Sequence, residues 1–187
     1  MIRDVMITDD CERRKSLQGE NCVVIKFSSD ERVLFPTGAY IDYEGERFTL
    51  LNDYKPRFDD GTYVYELHFA GIEEKLAIIS FFRHVKVGDN QFVREPEFYI
   101  DADLKTIGGI IVDSLRRDMG GDWVLSKPDP KKTENKHLAF SAMKFAEALN
   151  YIATEFGTEW WVEGGNILHL DKCEYGDYVN LSRRRIR

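Results

Sequence analysis

Alternation of apolar and polar positions dominates the first half of the chain, and a helical period dominates the second. Cys22-Val23-Val24-Ile25-Lys26-Phe27 is a β-branched run that closes on the turn cluster Ser28-Ser29-Asp30. Residues Ala39 to Tyr43 and Glu46 to Leu50 flank Glu44-Gly45, the pattern of a tight hairpin. After Asp59-Asp60-Gly61, Tyr63, Tyr65, Leu67 and Phe69 fall on one side and Val64, Glu66 and His68 on the other. That period predicts a strand with one buried face, as in an antiparallel sheet. Glu73 to Val87 carries two patterns at once. Leu76, Ile79 and Phe82 mark a helical stripe, while Ile78, Ile79, Phe81 and Phe82 suit a buried strand, and the β-branched and aromatic content favours the strand. A turn at Val87 to Asn90 and a short strand at Glu97 to Ile100 complete this β-rich half.

Beyond Asp101 the period changes. Asp103 is placed to cap a helix from Leu104 to about Asp118, with Leu104, Ile107, Ile111 and Leu115 on one side. Gly108-Gly109 should weaken that helix by about 1 kcal/mol per glycine relative to alanine, which points to close approach of another backbone. Trp123-Val124-Leu125 reads as a strand, and Lys127 to Lys136, with Pro128 and Pro130, as a polar loop. Ser141 is then expected to cap a second helix, Ala142 to Phe156, with Phe145, Leu149, Ile152 and Phe156 on one face and Gly157 ending it. Trp160-Trp161-Val162 and Ile167 to Leu170 flank the turn Glu163-Gly164-Gly165-Asn166 as a hairpin.

This second half repeats a phrase. A helix followed by Gly-x-(Asp/Glu)-Trp and apolar residues occurs twice, with Gly120 mapping onto Gly157, Asp122 onto Glu159 and Trp123 onto Trp160. Two such units can bury apolar faces against each other that neither could bury alone. The fold class is therefore α+β: an antiparallel β-rich region over residues 1–100, then a small α/β region built on the duplicated unit over 101–175. Residues 176–187 form a basic tail or the start of a further segment.

Composition narrows the function. The 187 residues carry a formal net charge of −7, which argues against a protein that neutralises nucleic-acid phosphates. The basic run Arg183-Arg184-Arg185 with Arg187 is too short to reverse that, and reads as a solvated end. Cys11, Cys22 and Cys173 are odd in number and widely spaced, which suits reduced thiols in a cytoplasmic compartment. The start of the chain lacks the layout of a signal peptide, and no apolar run approaches the roughly 18 residues of a membrane span. The expectation is a protein made in the cytoplasm, with no membrane and no nucleic-acid partner.

Candidate chemistry is sparse. His68, His84, His137 and His169 match no zinc spacing and belong to no Cys/His cluster in the sequence. No nucleophile elbow, P-loop or dinucleotide fingerprint is present. The acidic pairs Asp59-Asp60, Asp101 with Asp103, and Glu95 with Glu97 could form acid–base pairs or a hard-metal site, but each lies where turns and caps normally place acids. Tyr63, Tyr65, Trp160 and Trp161 could stack on sugars, although such enrichment suits a protein interface at least as well. Adjacent Trp160 and Trp161 must point to opposite sides of a strand, one into a core and one against a neighbouring layer or chain. The expectation is a non-enzymatic protein with no catalytic, cofactor-binding or metal residues and no cofactor. A carbohydrate- or peptide-binding module and a cell-wall-directed hydrolase stand as the competing readings.

Several segments together resemble a family. They are Ile7-Thr8-Asp9-Asp10 with Arg13, Arg14 and Lys15, then Gly19-Glu20-Asn21, and Phe35-Pro36-Thr37-Gly38-Ala39-Tyr40 followed by Tyr43 to Leu50. To these add Phe98 to Val112 and the phrase from Ala146 to Trp161, Glu-Ala-Leu-Asn then Ile-Ala, Glu-Phe and Thr-Glu-Trp. This set is similar to tail proteins of phages and prophages of Bacteroidetes, the tail-associated family at the tail tip or baseplate hub. The resemblance implies a tail-tube-like, split-barrel β-domain joined to a small α/β domain, in a virion structural protein located in the tail. It also implies a homo-oligomer, in such hubs typically a trimer, whose partners are tube, distal tail protein, and fibre or lysin. Members are usually longer, so the chain is expected to be a domain of a longer protein or a short variant, and its basic end favours truncation.

Overall fold

The computed structural model describes residues 11–16, 18–126 and 134–171. Ile7 to Asp10, most of the Lys127 to Lys136 loop, Cys173 and the basic run at 183–187 lie outside the described residues. The first half forms one sheet from β1 (Glu12–Lys15), β2 (Asn21–Ser29), β3 (Tyr40–Tyr43), β4 (Glu46–Leu50), β5 (Arg57–Asp59) and β6 (Thr62–Ala70). Its order is β1-β2-β6-β4-β3, with β5 paired to the start of β6, and every pairing is antiparallel.

Register follows the alternation. Phe27 sits opposite Tyr65, Ile25 opposite Leu67 and Val23 opposite Phe69, so the apolar positions of β2 and β6 share a face. They pack with Phe35, Phe48 and Leu50 as one buried cluster. Phe27 and Tyr65 stack with ring centres 4.4 Å apart, and Phe35 meets both edge-on. The β3–β4 hairpin turns through Glu44 and Gly45, both at positive φ (51° and 80°), the backbone that a two-residue type I′ turn requires.

The ambiguous segment divides. Ile72–Ile78 is a helix, α1, correcting the preference for a strand there. Glu73 and Glu74 occupy its first turn, where acids are favoured by the helix dipole, and Leu76 is fully buried. Of the apolar residues that suggested a strand, Ile78 ends the helix, and Ile79, Phe81 and Phe82 lie just beyond it. Ser80 bridges to Lys144, and the backbone of Phe81 donates to the Met143 carbonyl. The strand β7 (Arg83–Lys86) then pairs with β8 (Phe92–Glu95).

The remainder comprises β9 (Glu97–Ala102), α2 (Leu104–Asp118), β10 (Val124–Leu125), β11 (Lys136–Ser141), α3 (Phe145–Phe156), β12 (Glu159–Glu163) and β13 (Ile167–Asp171). The Asp103 carboxylate accepts the Thr106 backbone N–H at 2.8 Å and caps α2 as expected. Ser141 does not cap α3. It ends β11, a strand that pairs with β9, and the helix starts after Lys144, whose backbone N–H donates to the Glu147 carboxylate at 2.7 Å. Gly157 closes α3 in the left-handed conformation, φ 62°.

The two glycines of α2 differ. A Cβ on Gly108 would meet side-chain atoms of Leu170 and Leu125 at 3.0–3.1 Å, whereas one on Gly109 would meet nothing within 4 Å. The close approach is therefore to leucine side chains, at Gly108 alone. Strand β13 is the centre of a three-stranded sheet, antiparallel to β12 and parallel to β10. With α2, α3 and the β9–β11 pair it encloses a second buried cluster that holds Trp123 and Trp160, and also Leu76, Phe81 and Phe98 from the segment before Asp101. The architecture is β-rich, with mostly antiparallel sheets and a few helices, an α+β protein.

Candidate functional site

The aromatic residues singled out in the sequence do not form a platform. Tyr65 is 1% exposed, and its hydroxyl accepts the Val33 N–H at 2.7 Å and donates to the Val33 carbonyl at 3.2 Å. Trp160 is wholly buried and donates its indole N–H to Asn150 Oδ1 at 2.7 Å. Trp161, on the other side of β12, is half-buried and stacks on His169 of β13 with ring centres 4.6 Å apart. Tyr63 lies half-buried against Phe58. Any sugar-binding arrangement built on Tyr65 or Trp160 is thereby ruled out by burial.

The acidic pairs are likewise occupied locally. Asp59 pairs with Arg57, and Asp60 takes a positive φ of 43° in the β5–β6 turn. Asp101 meets His137 at 2.9 Å, while Asp103 caps α2. Glu95 approaches Arg83 at 3.9 Å, and Glu97 accepts from Ser141 at 3.4 Å. His169 pairs with Glu163 at 2.9 Å. His84 and Asp118 form a buried pair at 3.0 Å, with Arg94 reaching the other carboxylate oxygen at 2.9 Å.

The polar residues that do converge lie where the first sheet meets α1. Gly71 fixes that junction: its N–H donates to the Asn21 carbonyl at 2.6 Å, and a Cβ there would fall 2.5 Å from that oxygen. Buried Asn21 donates from its side chain to Glu73 at 2.7 Å and to Glu46 at 3.0 Å. Burial pushes the Glu73 carboxyl above its ordinary range, and the Asn21 hydrogen bond only partly offsets this. Burial acts on Glu46 in the same sense, but the Asn21 hydrogen bond with Lys15 and Arg13 outweighs it and holds Glu46 below its ordinary range. Arg13 on β1 pairs with Glu44 and Glu46, so the two ends of the sheet path are tied together.

On the adjoining face of the sheet, Cys22 lies opposite Ala70 and Val24 opposite His68. Cys22 and His68 are thus diagonal neighbours across β2 and β6. Glu74 of α1 meets His68 at 2.8 Å, and ligand atoms of Cys22, His68 and Glu74 all lie within 4.8 Å of one another. Burial, reinforced by Glu74 and Glu20, pushes the Cys22 thiol up to about 12. A groove of about 400 Å³ opens beside His68 and Glu74, lined further by Leu50, Asp53, Tyr54 and Glu66. Thr37 donates to Asp53 from its backbone N–H at 2.7 Å and its hydroxyl at 2.9 Å, which holds Asp53 below its ordinary range. Linear spacing concealed this set because its members come from a strand start, a strand end and a helix.

Apolar side chains also reach the surface. Tyr40 on β3, at the end of the first sheet path, is exposed beneath the Arg47 guanidinium, 4.0 Å from its ring centre. Phe92 and Val93 are exposed on the β7–β8 ribbon, with Arg117 placed 3.6 Å over Phe92. Tyr99 on β9 is 74% exposed and stacks on His137. These positions are presented along strands that among the described residues pair on one side only.

Architecture of this kind has solved counterparts. The structure of prophage tail protein gp18 from Listeria monocytogenes superposes with a TM-score of 0.61 at 10% identity, over 96% of this chain and 51% of that one. This chain shares its fold with prophage tail proteins. The prophage MuSo2 43 kDa tail protein from Shewanella oneidensis matches with a TM-score of 0.53 at 14% identity, over 82% of this chain and 47% of that one. The chain thus spans about half the length of these two structures. No protein-family model matches the sequence, and no curated protein matches it. No helix among the described residues is long and apolar enough to cross a membrane.

Proposed function

We propose that this protein is a structural component of a phage or prophage tail, at the tail tip or baseplate hub, acting by protein–protein assembly and without enzymatic activity. The observation that carries the reading is the fold likeness to the Listeria tail protein over 96% of the chain. Exposed Tyr40, Phe92, Val93 and Tyr99 on open-edged strands supply surface for such assembly. Its partners are other tail proteins, namely tube, distal tail protein, and fibre or lysin, together with further copies of itself, and its place is the virion tail of a phage of the Bacteroidetes type.

Two finer features belong to the same proposal. The first region is a tail-tube-like split barrel, a reading supported by the Arg13 tie between β1 and the β3–β4 hairpin. The second region descends from a duplicated unit. Gly120 and Gly157 both hold positive φ, Trp123 and Trp160 share one core, and β10 and β12 flank β13 on its two sides. Apolar packing favours dividing the regions near Gly71 in place of Asp101, since Leu76, Phe81 and Phe98 pack with the second cluster.

Immunogold labelling of particles released by inducing the host's prophages tests the assignment. Label at the distal end of the tail is the expected result. Unlabelled tails, together with a gene outside any tail-gene cluster, would overturn it.

A further inference from the structure

We propose that Cys22, His68 and Glu74 form a zinc site that clips the first sheet to α1. The three donors come from β2, β6 and α1, and their ligand atoms already lie within 4.8 Å of one another. Tetrahedral zinc with bonds of about 2.0–2.3 Å sets ligand atoms about 3.3–3.8 Å apart. The His68–Glu74 separation of 2.8 Å has to widen slightly, and no separation in the group has to shorten by more than about 1 Å. Side-chain rotation supplies both, because the His68 and Glu74 side chains reach solvent at the groove while the buried Cys22 stays fixed by the β2–β6 register.

Donor chemistry selects the metal. One sulfur, one imidazole nitrogen and one carboxylate oxygen suit zinc, whereas magnesium and calcium take oxygen donors alone. Thiolate and carboxylate together match the two positive charges of the ion, leaving neutral His68 to donate its Nε2 lone pair. On binding, the Cys22 S–H bond breaks, its proton leaves to solvent, and an S–Zn bond forms with no change in oxidation state. His68 and Glu74 line the 400 Å³ groove, from which a water can complete the tetrahedron.

The position explains what such an ion would do. Cys22 and His68 belong to the first sheet, whereas α1 sends Leu76 into the second core. A bound ion would hold the two together at the junction already marked by Gly71 and Asn21. Because Cys22 is buried beneath α1, the ion would enter by way of His68 and Glu74 at the groove.

The test uses the full chain stripped with a chelator, incubated with zinc chloride and dialysed. Atomic absorption should find one zinc per chain, and calorimetry a higher melting temperature than for the stripped protein. Cobalt chloride should give tetrahedral absorption with a thiolate-to-cobalt charge-transfer band. His68→Gln, at an exposed position, should fold normally and lose the bound metal, and Cys22→Ser should lose the charge-transfer band. Wild-type chains that retain no more zinc than His68→Gln would overturn the proposal, as would a cobalt spectrum without the thiolate band. Neither result bears on tail assembly, which immunogold labelling reads separately.

Discussion

Trp160→Ala removes the bulkiest fully buried side chain of the second core, and its cost can be worked from what the indole touches. The ring has no exposed surface, and replacing a buried tryptophan by alanine costs about 3–5 kcal/mol in lost burial and residual cavity. The indole N–H also bonds to Asn150, but Asn150 is itself exposed, so water can take up its amide oxygen and the added penalty stays small. Trp160→Phe separates the two contributions, since it keeps most of the apolar volume and loses the donor. It should cost at most about 1 kcal/mol for the hydrogen bond, together with a packing loss below that of alanine. For a chain of this size each kcal/mol lowers the melting temperature by about 2–4 °C, so the alanine variant should melt about 6–20 °C below wild type. Calorimetry and urea titration followed by far-ultraviolet circular dichroism both read this. A soluble Trp160→Ala protein melting within about 2 °C of wild type would refute the placement of Trp160 as a core lock.

Gly109→Ala should stabilise the protein by about 0.5–1 kcal/mol, because α2 gains helix propensity and the new Cβ meets open space. Gly108→Ala should not, because its Cβ presses on Leu125 and Leu170; paired urea midpoints distinguish the two. Gly71→Ala should cost at least about 1–3 kcal/mol, since its Cβ would collide with the Asn21 backbone, and a melting temperature equal to wild type would contradict that junction. The Glu73 carboxyl is raised in the folded state, so its contribution to stability is fully present below its unfolded value of 4.5 and is lost as pH rises through the folded value. Glu73→Gln should therefore stabilise the protein near neutral pH and flatten that part of the stability profile, measurable as urea midpoints across pH.

Much of the fold was legible because it rests on local rules. The alternation from Tyr63 to Phe69 gave the buried face of β6, Glu44-Gly45 gave the hairpin, and Asp103 and Gly157 marked helix ends. Sequence and structure part where distant partners decide. The stretch after Gly71 is helical for only seven residues, too few to show a period against the β-branched and aromatic run that follows. Strand β11 carries no signature of its own, since the alternation of Leu138 and Phe140 gains meaning only from pairing with β9. Ser141 is a sound cap by composition, but that pairing holds it at the strand end, and the helix start passes to Lys144. The group of Cys22, His68 and Glu74 has no linear signature at all, since a cross-strand diagonal and a helix turn create it.

The parallel pairing of β10 with β13 has a consequence for how the chain emerges from the ribosome. Val124 and Leu125 find their partners only at Ile167 and Leu168, after β11, α3 and β12 have been made. Synthesis at about 5–20 residues per second leaves Trp123 without its final cover for seconds, a long interval beside the formation of a helix. The first sheet waits about as long, since Val24 finds its partner only at His68, but it is complete before α1 begins. Nascent-chain folding should accordingly proceed in two stages, with the N-terminal sheet available as a finished surface while the second core is still open.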